Sequence, residues 1–316
     1  MPSRRALLRS GAVTAAAGLA GCSVLAGDAE PVPLPDATPG PDDWPSDGYD
    51  ARNTRYNAGA SPPRSTPEPR WTRDFRFCHD PVIRGTRVVL NTGNEDREFT
   101  LGLRATDGME VWSSASEPWG YPTPTLGAGR AYVTGPDCTY GVDLDTGEET
   151  WRGQPCHGAN AASGTVADGR LYLEYGGYFS ALDDTGRVRW ATSHEAEASP
   201  AIVCDTAYVA TVFTVAALDL TATAREWPWD DPDDDAPPYA EREAAREWSD
   251  PPDVTTAGPR FYHAPAVTDS LVFATAARDT GGELRALART NGDERWAVAS
   301  RGRRDPGEEP GRPRSP

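Results

Sequence analysis

From residue 80 to Trp296 the chain alternates between short apolar runs and polar turns, and the alternation recurs. A first run opens DPVI (80–83), TPTL (123–126), SGTV (163–166), SPAI (199–202) and APAV (264–267). A second follows it as RVVLNT, RAYVTG, RLYLEY, TAYVAT and LVFATA. β-Branched and aromatic residues at near-alternate positions predict half-buried strands. Each pair leads into a segment that closes on tryptophan: GLRATDGMEVW (102–112), GVDLDTGEETW (141–151), ALDDTGRVRW (181–190), ALDLTATAREW (217–227) and ALARTNGDERW (286–296). The tryptophan spacings are 39, 39, 37 and 69, and a period near 40 predicts a repeat architecture. Gly108, Gly147, Gly186 and Gly292 stand four residues before the tryptophan, where a tight hairpin needs positive φ. Each unit therefore predicts four antiparallel strands, A to D, with the glycine turn between C and D.

One such sheet has two apolar faces and cannot bury both alone. Stacking the sheets around an axis solves this, so the expected fold is all-β, a β-propeller of four-stranded antiparallel blades with five recognisable blades. Trp112, Trp151, Trp190, Trp227 and Trp296 are then docking wedges between neighbouring blades, with the indole N–H free to meet a polar partner. PRWTRDF (69–75) resembles a surplus strand D, so the expected ring is incomplete or open.

The propeller is assigned to 44–298. Within it, 228–262 is an acidic insert, expected to form an acidic turn and a short helix from Tyr239 to Trp248. The run Asp230 to Asp235 lacks the spacing and glycine of an EF-hand and reads as a solvated loop. The final stretch, 299–316, carries no apolar run. Five arginines against three acids make residues 301–316 net +2, and the switch fits a disordered or aberrant tail.

Charge narrows the partners. The net charge is −17, all 31 basic residues are arginine, and the surface repels nucleic acid and anionic membranes. An acidic, lysine-free composition fits the solubility coat of a halophilic protein. A cation remains open as a ligand.

The N-terminus reads as an export signal. Ser3 to Gly11 supplies a charged region, and Ala12 to Ala20 is weakly apolar. Arg4-Arg5 resembles a Tat motif, and Leu19-Ala20-Gly21-Cys22 resembles a lipobox. The expectation is a Tat-type lipoprotein signal peptide over 1–21, lipid on Cys22 and a flexible tether over 22–43. The protein would then sit on the extracytoplasmic face of the cell membrane, held by its lipid. Nothing after the leader is apolar enough to span a bilayer.

In a four-stranded meander the D–A and B–C connections share one face. His79, His157, His194 and His263 all fall in D–A loops, and Trp119 and Tyr121 belong to the same face. These six form the candidate binding face, because loops on one side of a rigid scaffold are where binding concentrates. Histidine and cysteine are good metal ligands, but their spacing here matches no known metal signature, so whether a metal binds stays open. Cys138 and Cys156 flank one blade and are the expected disulfide in an oxidising exterior, while Cys204, at an A–B turn, is expected to be free. No nucleophile elbow, P-loop or HExxH motif occurs.

The pattern Ala-x-Asp-x-x-Thr-Gly-x-x-x-Trp resembles the tryptophan-docking repeat of PQQ-type (pyrroloquinoline-quinone-like) propellers, over about Pro81 to Trp296. WPSDGYDARNTRYN (44–57) is similar to the lead-in of many exported members. Segment 141–151 matches best, with Gly141 for Ala. Segment 181–190 is one residue short, 217–227 lacks Thr-Gly, and Arg104 and Ala288 replace the Asp. The family includes quinoprotein dehydrogenases and non-catalytic lipoproteins such as the propeller lipoprotein of outer-membrane β-barrel assembly.

The resemblance implies an exported, membrane-anchored propeller acting as a non-catalytic binding or scaffold protein, with a protein or cell-surface partner and no cofactor. One alternative is a PQQ-dependent dehydrogenase using PQQ with calcium. The adjacent cysteines of many such enzymes have no counterpart here, and no clear Glu/Asn/Asp calcium set carries over. A metal-binding propeller face is a second alternative.

Overall fold

The computed structural model describes residues 34, 38–61, 63–93, 98–114, 123–135, 138–153, 163–175, 178–192, 196–220, 225–226, 240–241, 246–250, 260–278 and 281–301. Among them there is no helix. The strands form five antiparallel meanders, in the order the repeat predicts.

Blade 1 begins with β1 (Phe77–Cys78), which pairs with the far end of β3, and then runs β2 (Val82–Arg84), β3 (Arg87–Gly93), β4 (Glu98–Arg104) and β5 (Glu110–Ser113). Blade 2 is β6 (Thr125–Leu126), β7 (Arg130–Thr134), β8 (Thr139–Asp143) and β9 (Glu149–Arg152). Blade 3 is β10 (Thr165–Ala167), β11 (Arg170–Tyr175), β12 (Tyr178–Leu182) and β13 (Val188–Thr192). Blade 4 opens with β14 (Ala201–Val203), β15 (Thr206–Ala210) and β16 (Val215–Asp219). A small hairpin, β17 (Arg225–Glu226) and β18 (Ala240–Glu241), intervenes before its fourth strand, β19 (Arg246–Asp250). Blade 5 is β20 (Ala266–Val267), β21 (Leu271–Arg278), β22 (Gly281–Ala288) and β23 (Glu294–Arg301).

One register recurs in every blade. The strand-D tryptophan faces a glycine or alanine on strand C: Gly102↔Trp112, Gly141↔Trp151, Ala181↔Trp190, Ala217↔Trp248 and Ala286↔Trp296. In blade 1 the reason is steric, since a Cβ on Gly102 would come within 2.1 Å of the Trp112 ring. A bulge follows at once and turns the next residue inward. Leu103, Val142, Leu182, Leu218 and Leu287 are accordingly all buried.

Blade 4 corrects the sequence reading. The tryptophan period places Trp227 in the docking position, whereas the sheet puts Trp248 there. The motif Ala-Arg-Glu-Trp occurs twice, at 224–227 and at 245–248. The first copy feeds the hairpin and the second supplies strand D. The insert thus lies between strands C and D of blade 4, not after the blade, and the helix expected at 239–248 is replaced by strands at 240–241 and 246–250. The hairpin extends blade 3 instead: β18 runs parallel to β13, pairing Ala191 with Glu241, and so covers an outer edge that would otherwise stay unpaired. Asp230 to Asp235 and Trp227 lie outside the described residues.

Two further expectations change. Residues 69–75 form no strand. The tether does not run free to residue 43: Leu34 is 4% exposed, packs in the cluster with Trp151 and Leu171, and its N–H donates to the Gly169 carbonyl at 2.7 Å.

The inner strands neighbour one another in the order β2, β6, β10, β14, β20, and no comparable contact joins β20 back to β2 among the described residues. Among the described residues the blades therefore run as an arc. The lead-in ties them together through backbone bonds. Trp44 exchanges two with Ile83, at 2.8 and 2.9 Å; Leu126 donates to Pro45 at 2.7 Å, Ile202 to Ala51 at 2.7 Å and Val267 to Arg52 at 2.9 Å. This strap touches blades 1, 2, 4 and 5 directly, and Leu34 adds blade 3.

Candidate binding face and the blade junctions

The junctions between blades explain why the docking positions hold tryptophan. The Trp112 Nε1–H donates to the Leu144 carbonyl at 2.8 Å, and the Trp151 Nε1–H to the Asp183 carbonyl at 3.1 Å. Trp71, in the segment 69–75, does the same to Ala105 at 3.0 Å. Each acceptor stands seven residues before the next tryptophan, on the C–D turn of the following blade. The glycine of that turn also makes room: a Cβ on Gly147 would lie 2.7 Å from the Trp112 ring, and one on Gly108 would lie 2.6 Å from the Trp71 ring. Trp71 therefore caps blade 1 as a strand-D tryptophan would, without a strand. The Trp190 Nε1–H is buried and has no acceptor among the described residues, although Leu220, whose N–H donates to Asp205 as that of Leu144 does to Gly129, holds the equivalent place on the next blade.

A second, ionic link follows the same geometry and was not visible in the sequence. Arg87 at the start of β3 reaches Asp145 at 2.8 Å, and Arg130 at the start of β7 pairs with Asp184. Both acids stand six residues before the next tryptophan. The signal was there in the arginine that opens RVVLNT, RAYVTG and RLYLEY, but only the fold shows what it reaches.

The carboxylate of Asp183 is the best-held acid. The residue is 1% exposed, and burial opposes its charge. Thr185 hydroxyl and N–H, at 2.6 and 2.8 Å, and Arg189 Nε, at 2.7 Å, outweigh that and hold the carboxyl below its ordinary range.

The expected binding face is described in part. His79 is half-buried, its N–H donates to the Asn91 carbonyl at 3.0 Å, and its ring lies 5.9 Å from Phe77. His263 is exposed, before β20. These two stand in the first and last blades of the arc. Trp119, Tyr121, His157 and His194 lie outside the described residues, as do Cys22 and Cys156. Among the described residues no group of three or more His, Cys, Asp or Glu side chains could hold a metal ion. Cys138 is buried and disulfide-bonded, its sulfur 3.7 Å from the Gly153 carbonyl, while Cys78 and Cys204 are free. No helix among the described residues is long and apolar enough to cross a membrane.

At the opposite end of the inner strands, the strap roofs a cavity of about 360 Å³. Tyr49 and Asp50 of the strap line it, with Asp168 and Cys204 from the A–B turns of blades 3 and 4. Burial and the neighbouring Asp205 raise the pKa of Asp168, with Arg170 opposing. The strap covers this end of the inner strands.

The sequence of residues 97–228 matches the PQQ_2 family model, described as outer membrane protein assembly factor BamB. No curated protein matches the chain. Among solved structures, the quinohemoprotein alcohol dehydrogenase of Comamonas testosteroni superposes with a TM-score of 0.56 at 15% identity, over 81% of this chain and 49% of that one. BamB from Moraxella catarrhalis gives 0.47 at 16% identity, over 68% of this chain and 58% of that one. The chain thus spans about half the length of the solved structures it resembles. Five meanders in sequence, the tryptophan junctions and the likeness to the alcohol dehydrogenase agree on an all-β, propeller-like fold, and the repeats within residues 97–228 are similar to those of the family described as BamB.

Proposed function

We propose that this protein is an exported, lipid-anchored propeller that binds a protein partner outside the cytoplasm and performs no chemistry of its own. The observation that supports it most is the match of residues 97–228 to a family described as an assembly factor. The strap adds to this by covering the A–B end of the inner strands, so the reading takes the D–A and B–C side as the binding side. The lipid would sit on Cys22, behind the twin arginine Arg4-Arg5. The second half of the Cys138 disulfide would be Cys156, facing it across blade 2 in sequence.

A PQQ-dependent dehydrogenase is the second reading, favoured by the likeness in fold to the Comamonas testosteroni enzyme. Its cofactor needs calcium and a set of oxygen ligands. The described side chains do not gather such a set, so they support no catalytic step through that cofactor.

The test is co-purification of the full chain from detergent-solubilised native membranes. A stoichiometric protein partner is the expected result, together with release of Cys22→Ala into the medium. Dye reduction above background after loading with PQQ and calcium would replace this reading with the enzymatic one.

A further inference from the structure

The cavity under the strap is walled by the three middle blades. Strands β6, β10 and β14 supply Leu126, Val166 and Ile202, and the strap supplies Tyr49 and Asp50. Leu126 and Ile202 also donate their N–H groups to the strap, so wall and roof are tied together within the chain. At about 360 Å³ the space suits a small organic molecule.

Two carboxylates line the cavity, and they differ. Asp50 is occupied by its own loop: Oδ1 accepts from the Arg52 and Thr54 N–H groups at 3.1 and 3.0 Å, and Oδ2 from the Thr54 hydroxyl at 2.8 Å. Asp168 is half-buried and its carboxylate accepts no hydrogen bond among the described residues. Asp205 and Arg170 act on its charge with opposite signs, while burial opposes that charge. A carboxylate drawn out of bulk water needs a donor, and the cavity is where one can enter.

The backbone around this space is held in uncommon conformations. Tyr49, Asp168 and Cys204 line it with φ of +73°, +45° and +51°. Non-glycine residues kept there by their surroundings cluster at binding sites. Tyr49 also brings an aromatic side chain, whose ring face attracts cations. A bare divalent ion needs several oxygen ligands. One open carboxylate beside an apolar wall suits a cation that carries its own apolar stem, and the net charge of −17 draws cations to the chain. We infer that the cavity between the strap and strands β6, β10 and β14 binds a small organic ammonium ion, its charge on Asp168 and its stem against Leu126, Val166 and Ile202. The site is separate from the loops assigned to a protein partner, so the two readings fail independently.

Calorimetric titration of the full chain in detergent with n-butylammonium chloride tests this, with sodium butyrate as the control. A dissociation constant of about 1 mM is expected for the ammonium ion, and no binding of butyrate. Asp168→Asn should weaken binding at least about tenfold. Asparagine tolerates positive φ, so the turn keeps its shape. Cysteine alkylation then locates the ion. Cys78 and Cys204 are both free and exposed, but only Cys204 lines the cavity. Bound butylammonium should slow labelling of Cys204 by N-ethylmaleimide and leave Cys78 unchanged, a readout on the unaltered chain that decides the matter if Asp168→Asn fails to fold. No binding of butylammonium, equal binding of butyrate, an affinity indifferent to Asp168→Asn, or unprotected Cys204 would overturn the inference.

Discussion

Trp151 and Asp183 lock blade 2 to blade 3: the indole N–H donates to the Asp183 carbonyl at 3.1 Å, while the same residue's carboxylate organises the turn that receives it. The ring is 5% exposed and meets Tyr132 edge-on at 5.3 Å. Trp151→Phe keeps most of the buried surface and removes the hydrogen bond, so it should cost about 1 kcal/mol. Trp151→Ala should cost about 4 kcal/mol through the cavity it leaves. Urea denaturation followed by far-UV circular dichroism reads both.

Two glycines separate backbone strain from steric fit. Gly129 and Gly147 have φ of +76° and +73°, but only Gly147 faces a neighbour, the Trp112 ring. Gly129→Ala should therefore lose about 1 kcal/mol from strain alone. Gly147→Ala should lose about 3 kcal/mol, because overpacking at the junction adds to the strain. Equal losses would mean that the turn does not seat the tryptophan.

Asp183 also sets an acid limb. Its carboxyl is held below the ordinary aspartate range, so the unfolded chain takes up this proton at higher pH than the folded one. The stability it contributes is complete above the unfolded value, about 3.9, and is lost as pH falls through the lower folded value. Asp183→Asn removes the buried carboxylate charge opposite Arg189 and should cost about 3 kcal/mol at neutral pH. The gap between the two proteins should close as the solution is acidified below pH ~4. A gap independent of pH would show that the carboxylate charge contributes nothing.

The strap can be tested at Asn53, which is 1% exposed, has φ of +53° and donates from Nδ2 to the Ser199 carbonyl at 3.0 Å. Asn53→Gly removes the hydrogen bond and keeps the backbone free, for an expected cost of about 1 kcal/mol. Asn53→Ala adds strain and should cost about 2–3 kcal/mol. In both, hydrogen exchange at Ile202 and Val267, which donate to Ala51 and Arg52, should speed up before exchange in strands β7 and β8.

The blades were legible in the sequence because their signals are local. Alternating β-formers, a glycine four residues before a tryptophan, and a small residue across from that tryptophan all act within one hairpin. The misplacement of Trp227 has a physical cause: its Ala-Arg-Glu-Trp motif recurs at Trp248, and local pattern cannot say which copy a distant strand C will take. The strap is recognisable in sequence as a lead-in, but its docking is not, since its bonds are backbone bonds to partners such as Val267, far along the chain from Arg52. The cavity beneath it depends on those bonds and was equally invisible. Of the candidate face, only His79 and His263 fall among the described residues, and they lie in different end blades.

A protein partner held on the D–A and B–C side of the arc should be caught in place by cross-linking mass spectrometry on native membranes. The chain has no lysine, so the reagent must target its 48 carboxylates. Links to one partner protein are expected from acids of those loops, such as Asp80 beside His79, and none from the opposite side at Asp168 or Asp269. Links confined to Asp168, Asp269 and the strap, or none to any protein, would contradict a partner on that side.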